Sequence, residues 1–172
     1  MSPRCALPCA VFLTAALVGY GAIAPHANGS PAGALNGTFR AQSNGDWAQT
    51  NDQYRNETTV VATWTITTTC ADGLCSGEVH SDQGWTAPIN NQAAGEWHVK
   101  RTVADWETCP DGTTVAGNQL YRFYPVAGIT GLVDDTQSDV FAGRDITQGP
   151  GGGCGINKPL VISVPFKLTR IS

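Results

Sequence analysis

Two arginines stand where the pattern of side chains calls for apolar residues. In the segment 96–105 (EWHVKRTVAD), alternation puts Trp97, Val99, Arg101 and Val103 on one face, with Glu96, His98, Lys100 and Thr102 on the other. Arg122, in the aromatic run 119–126 (QLYRFYPV), raises the same question. An unpaired guanidinium is costly to bury, so two arrangements are open. Either the charge meets a carboxylate inside the fold or snorkels to water, or the face lines a cavity open to solvent and to an anionic ligand. The structural ion pair or snorkel is the plainer reading. Trp64, Trp85 and Trp97 could line one end of such a cavity and give a flat ligand a stacking surface, although tryptophans serve more often simply as core. The candidate ligand-binding set is Trp64, Trp97, Arg101 and Arg122.

Other residues with chemical potential read more simply. His80 and His98 are expected on adjacent strands, where they could face each other, but both fall on the polar face and are expected as surface histidines rather than metal ligands. Asp105 and Glu107 flank Trp106, and Asp134 and Asp135 are adjacent; paired carboxylates can do acid and base work, yet solvated loop charges are the simpler account. Gly151, Gly152 and Gly153 precede no helix start and no Lys-Ser/Thr pair, so they serve a turn rather than a phosphate cradle. There is no G-x-S-x-G, no H-E-x-x-H and no Ser/His/Asp set at recognisable spacing. No catalytic residue, metal or cofactor is assigned, and the chain is read as a non-enzyme.

The elements that would position these side chains are organised around the segment 58–75 (TTVVATWTITTTCADGLC). Ten of its first twelve residues are β-branched, and Val60, Ala62, Trp64 and Ile66 alternate with mostly threonine, as in a strand with one face in a core and one in water. It ends at Cys70, an Asp72-Gly73 turn and Cys75, a hairpin whose mouth a disulfide can close. The segment 76–82 is its return partner, broken at Gln83-Gly84-Trp85, and 86–89 is expected to resume it beyond a bulge. Further strands are expected at 38–43, 96–105, 119–126, 139–147 (with Gly143 marking a bulge or bend) and 160–171. The polar stretch 47–57 reads as a loop or a helical turn or two, and 106–114 as a loop. In the last strand Leu160, Ile162, Val164, Phe166 and Leu168 form the cleanest apolar face, while Pro165 predicts an edge or a bulge. No segment holds a helical period over ten residues. The fold class is therefore all-β: an antiparallel meander of seven to eight strands, as an up-and-down, lipocalin-like barrel or, second, a β-sandwich. The barrel comes first because consecutive hairpins close without long crossovers, with Pro165 arguing against perfect closure.

The chain has 172 residues, a net charge of −4 and only 14% charged residues. Nothing in it is basic enough for nucleic acid, and it shows no polybasic stripe for anionic lipid. Residues 5–24 (CALPCAVFLTAALVGYGAIA) are apolar behind Arg4, as in a secretory signal peptide; a retained membrane anchor is the alternative. The expected organisation is a signal peptide over 1–27, a disordered linker over 28–36, and one β domain over 37–172. Loss of the leader removes Cys5 and Cys9 and leaves Cys70, Cys75, Cys109 and Cys154, an even set in an exported chain. Of three connectivities, Cys70–Cys75 with Cys109–Cys154 is favoured, since a hairpin already brings the first two within reach. The sequons at Asn28, Asn36 and Asn56 are read as chance matches.

The motifs WTITTTC, SDQGW, WHVKR, YRFYP and GPGGGCGINKPL give the mature chain a further likeness. From about Leu35 to its end it resembles small exported β-rich proteins of mycobacteria and related actinomycetes, a group of unknown function. The resemblance implies export and two disulfides, leaves the sequons idle in such a host, and lends no site residues. Two functions compete. One is a secreted binding module holding a small amphipathic or anionic envelope ligand in a barrel lumen, with Trp64, Trp97 and Arg101 facing inward. The other is a surface or cell-wall interaction domain with a solid core, whose loops around Trp85 and Trp106 meet an exported protein. A cavity above roughly 300 Å³ reached from solvent favours the first; a filled interior with an exposed aromatic patch favours the second.

Overall fold

The computed structural model describes residues 33–92 and 95–172. The apolar leader and residues 28–32 lie outside them. Ten strands follow in order: β1 (Gly37–Ser43), β2 (Gln49–Thr50), β3 (Gln53–Tyr54), β4 (Val60–Ala71), β5 (Leu74–Ser81), β6 (Trp85–Asn91), β7 (Trp97–Thr108), β8 (Thr114–Pro125), β9 (Val140–Gln148) and β10 (Val161–Arg170). Each long strand pairs antiparallel with the next, and β10 returns to pair with β1 from Phe39↔Arg170 to Ser43↔Phe166. This is an up-and-down barrel of eight strands, with the β2–β3 hairpin hung on β10 through Ile162↔Thr50 and Ser163↔Gln49.

Alternation works as the β-branched composition demands. In β4, Ala62, Trp64, Ile66 and Thr68 are buried while Thr63, Thr65, Thr67 and Thr69 face water. The interior is packed with rings. Trp64 meets Tyr121 edge-on at 4.9 Å and Phe166 at 5.3 Å, and Phe123 meets Phe141 at 5.8 Å and Phe166 at 5.5 Å. Phe39, Ile66, Val79, Ile89, Val99 and Leu168 complete a solid core. At one end the chain enters through Leu35, which is 2% exposed and whose N–H donates to the Thr68 hydroxyl at 2.8 Å. Leu35, inside the stretch expected as linker, is thus packed, because it has an apolar niche and Thr68 offers its backbone a partner.

Both expected disulfides form, Cys70–Cys75 across the β4–β5 turn and Cys109–Cys154 between the β7–β8 turn and the β9–β10 loop. Several local expectations change. The segment after Gln83-Gly84 does not resume β5: it turns back as β6 and pairs with β5 from Ser81↔Trp85 to Ser76↔Asn90. His80 and His98 are therefore separated by a strand, and their rings take Thr86 and Glu96 instead of each other. The expected loop 106–114 is mostly hairpin, since β7 and β8 run on past a bulge between Val103 and Glu107, where Asp105 has φ of +50°. Gly143 is no bulge: it pairs in register with Phe123, and a Cβ there would run into the Arg122 carbonyl. The polar stretch 47–57 holds the end of a 3-10 turn (Gly45–Trp47), capped by Asn44, and the small β2–β3 hairpin. Pro165 does not break closure. It lies where β10 changes partner from β1 to β2, so its missing N–H is not needed for the ladder on that side.

Candidate ligand site at the barrel mouth

The barrel wall is weakest between β6 and β7. These strands pair only through Asn91↔Trp97, Asn90↔His98 and Ile89↔Val99. Beyond Val99 toward the mouth, β7 has no partner on that side among the described residues, and Arg101 is its first inward residue there. Its guanidinium lies 4.5 Å from the ring centre of Trp85, the first residue of β6, so a cation–π contact bridges the gap that the ladder leaves.

Behind this contact is a cavity of about 290 Å³, lined among others by Ser43, Trp64, Trp85, Arg101, Tyr121 and Asp145. A polar chain crosses it. Arg101 Nε donates to Gln119 Oε1 at 2.6 Å, Gln119 Nε2 donates to Asp145 Oδ1 at 2.8 Å, and the Ser43 hydroxyl donates to Asp145 Oδ2 at 2.7 Å. Register explains the convergence: Arg101 is paired with Gln119, Gln119 with Thr147, and Tyr121 with Asp145, all on the inner face. Three rings form the floor, Trp64 lying edge-on to both Trp85 (5.4 Å) and Tyr121 (4.9 Å).

The electrostatics follow from burial. Removal from water pushes the Asp145 carboxyl above its ordinary value, against the pull of Ser43, Gln119 and the Arg101 charge. Burial, and after it the charge of Asp145, raises the Tyr121 phenol, so that hydroxyl stays protonated. The ion pairs among the described residues do not include Arg101. Its charge is thus held by a ring face and a neutral amide, with Asp145 one hydrogen bond further on.

Of the residues singled out from the sequence, Trp64 and Arg101 meet in this cavity. Trp97 also points inward but lines a separate recess of about 260 Å³ at the opposite end, with Leu35 and Phe141. Arg122 is on the outer wall, its Nε 4.0 Å from Glu96 Oε1, because it follows the inward Tyr121 by one position and alternation turns it out. Ser43, Gln119 and Asp145 were missed, though a signal existed: each continues an inward series, Phe39-Ala41-Ser43, Gln119-Tyr121-Phe123 and Phe141-Gly143-Asp145. Trp106, expected at an interaction loop, is half-buried beside Gly117 and Gly149.

No protein-family model matches this chain, and no curated protein does. Among solved structures, the chain is similar to the monomer form of the M. tuberculosis PknI sensor domain, with a TM-score of 0.56 and 15% identity over 80% of this chain and 87% of that one. At that identity the likeness is one of fold.

Proposed function

We propose that the protein is a non-enzymatic, exported binding or sensing module that takes a small anionic ligand in the cup at its barrel mouth. Arg101 would hold the anion and Trp64, Trp85 and Tyr121 the apolar part. The observation that carries this reading is Arg101 itself, turned inward at a gap in the wall and stacked on Trp85 with no carboxylate among the described residues in an ion pair with it. Asp145, Ser43 and Gln119 add groups able to meet a ligand hydroxyl. The volume of about 290 Å³ is that of about ten waters and falls just short of the roughly 300 Å³ from which ligand sites range upward. It suits a compact acid better than a lipid chain, since the rest of the lumen is filled with rings.

Two further facts support the reading. Paired disulfides fit an oxidising compartment, and the similar solved fold is named as a sensor domain. The alternative, an interaction domain with a solid core, draws on a different feature: Ile129, Leu132 and Val133 are exposed on the loop between β8 and β9. Native mass spectrometry of gently extracted protein, with tryptophan quenching across a panel of small carboxylates, separates the two. Quenching that saturates and is lost in Arg101→Gln is the expected result; a bare protein with no quenching by any acid would transfer the case to the loop.

A further inference from the structure

The chain carries a net charge of −4 and no linear basic run, yet folding lines up five of its ten lysines and arginines on the outer wall. Lys100 on β7, Arg122 on β8, Arg144 on β9, Lys167 on β10 and Arg40 on β1 are all exposed on the outer wall. Register places each beside the next. Arg122 and Arg144 are direct cross-strand partners. Lys100 pairs with Leu120, two residues from Arg122; Arg144 pairs with Pro165, two from Lys167; and Lys167 pairs with Gln42, two from Arg40. Direct and diagonal neighbours on a sheet face lie about 5–8 Å apart. The five cations therefore form one unbroken oblique seam across five consecutive strands.

Little neutralises it. No Asp or Glu projects from the outer wall of β8, β9, β10 or β1, since the one carboxylate in those strands, Asp145, is turned into the cup. Glu96 stands at one flank, 4.0 Å from Arg122, and is shared with His98 at 2.8 Å. Arg144 donates to the Ser163 hydroxyl and Arg40 to the Gln42 amide oxygen, which orient these side chains without cancelling charge. Like charges directly opposite on a sheet are unfavourable, so the Arg122–Arg144 pair is a standing cost in the isolated protein that an anionic partner would relieve.

We infer that this seam is the docking line of a linear acidic polysaccharide lying obliquely across the barrel wall. Shape decides between anionic partners. From β7 to β1 the seam crosses four of the barrel's eight inter-strand steps, half of its circumference, so a flat lipid surface can touch only part of it, whereas a flexible chain can follow the curve. The wall also lacks a row of exposed rings on which successive nucleobases would stack; Tyr124, half-buried, is the one aromatic residue on the outer faces of these strands. Neither the cup nor its ligand enters the argument.

The test is fluorescence anisotropy of a labelled oligogalacturonate with the full, oxidised chain at low and at physiological salt. It is compared with a neutral glucan, a single-stranded oligonucleotide of equal length, and phosphatidylglycerol vesicles. Binding that weakens with salt is expected, with the Arg122→Gln/Arg144→Gln variant weaker by about tenfold or more and Lys158→Gln, off the seam, by less than about twofold. The double variant should melt no lower than the parent, and Arg101→Gln should bind the polymer unchanged, which keeps this result separate from that of the cup. No binding of the oligogalacturonate, equal binding by the double variant, or tighter binding to the oligonucleotide or the vesicles would each overturn the inference.

Discussion

At each end of the barrel an arginine lies with its guanidinium carbon 4.5 Å from a ring centre, Arg170 over Phe39 and Arg101 over Trp85, and their other contacts separate the two ends. Arg170 donates from Nε to Asp139 Oδ1 at 3.0 Å, from Nη2 to the Ser138 carbonyl at 3.0 Å and from Nη1 to the Asn36 carbonyl. It thereby ties the entering chain, the start of β9 and the end of β10. Arg101 makes one hydrogen bond among the described residues, to the neutral Gln119. A guanidinium with its donors used fixes an end shut; one held by a ring and an amide leaves donors for something else. The same residue type is a staple in one place and a candidate receptor in the other.

The disulfides give that contrast its largest test. Cys109–Cys154 closes a loop of sequence separation 45 at the mouth, and Cys70–Cys75 one of 5 at the closed end. On the loop-entropy account, the Ser/Ser variant of the first should lose about 4 kcal/mol and of the second about 2 kcal/mol, measured by urea unfolding. Equal losses would show that loop length is not what distinguishes the ends. Next come the arginines. Arg170→Ala should cost about 1.5–3 kcal/mol through its charged hydrogen bonds, while Arg101→Gln should cost less than about 1 kcal/mol and instead abolish ligand quenching. If Arg101→Gln proves the more destabilising, the mouth arginine is structural and the contrast fails.

A pH titration sharpens the comparison further. Burial raises the Asp145 carboxyl above its usual 3.8, so the folded chain keeps that proton to higher pH than the unfolded one. The stability this group contributes is full in acid and is lost as pH rises from the unfolded value through the raised native one. Asp145→Asn should flatten that decline: its amide oxygen can still accept from Gln119 Nε2, while its amide nitrogen would donate to the Ser43 hydroxyl oxygen, reversing that bond. The exposed Asp111 and Asp134, held low by hydrogen bonds from Thr113 and Thr136, act with the opposite sign but cancel between parent and variant. Melting temperature against pH for the two proteins checks this, and parallel curves would mean that Asp145 is not the group responsible. The smallest effect is expected at the rim. Val60→Thr, at a residue already 48% exposed, should change stability by less than about 0.5 kcal/mol.

The strand rhythm was legible because a pleated strand with one wet face needs nothing beyond its own period: β4 buries Ala62, Trp64 and Ile66 and β10 buries Val164, Phe166 and Leu168 as alternation assigns, while Val60, at the rim, is exposed and Leu160 and Ile162 are half-buried. Arg101 was legible for the same reason, as a charge on an apolar face. Arg122 was not, because a run rich in rings on both faces hides which parity points inward. The turn at Gln83-Gly84 was visible, but whether the chain continues or reverses there depends on pairing with Ser81 and its neighbours. Asp145 stood in the right parity, yet its meeting with Ser43 and Arg101 requires β1, β7, β8 and β9 to be brought together in one particular register.

By itself the sequence determined the all-β class, the inward and outward faces of most strands and the Cys70–Cys75 hairpin pair, which leaves Cys109 and Cys154 for each other, since these depend on near neighbours and on parity. Closure of the barrel, the gap beside β7, the cup and the line of outward cations were decided only by tertiary structure. Each depends on which residue stands opposite which across strands far apart in the chain, and no local period carries that information.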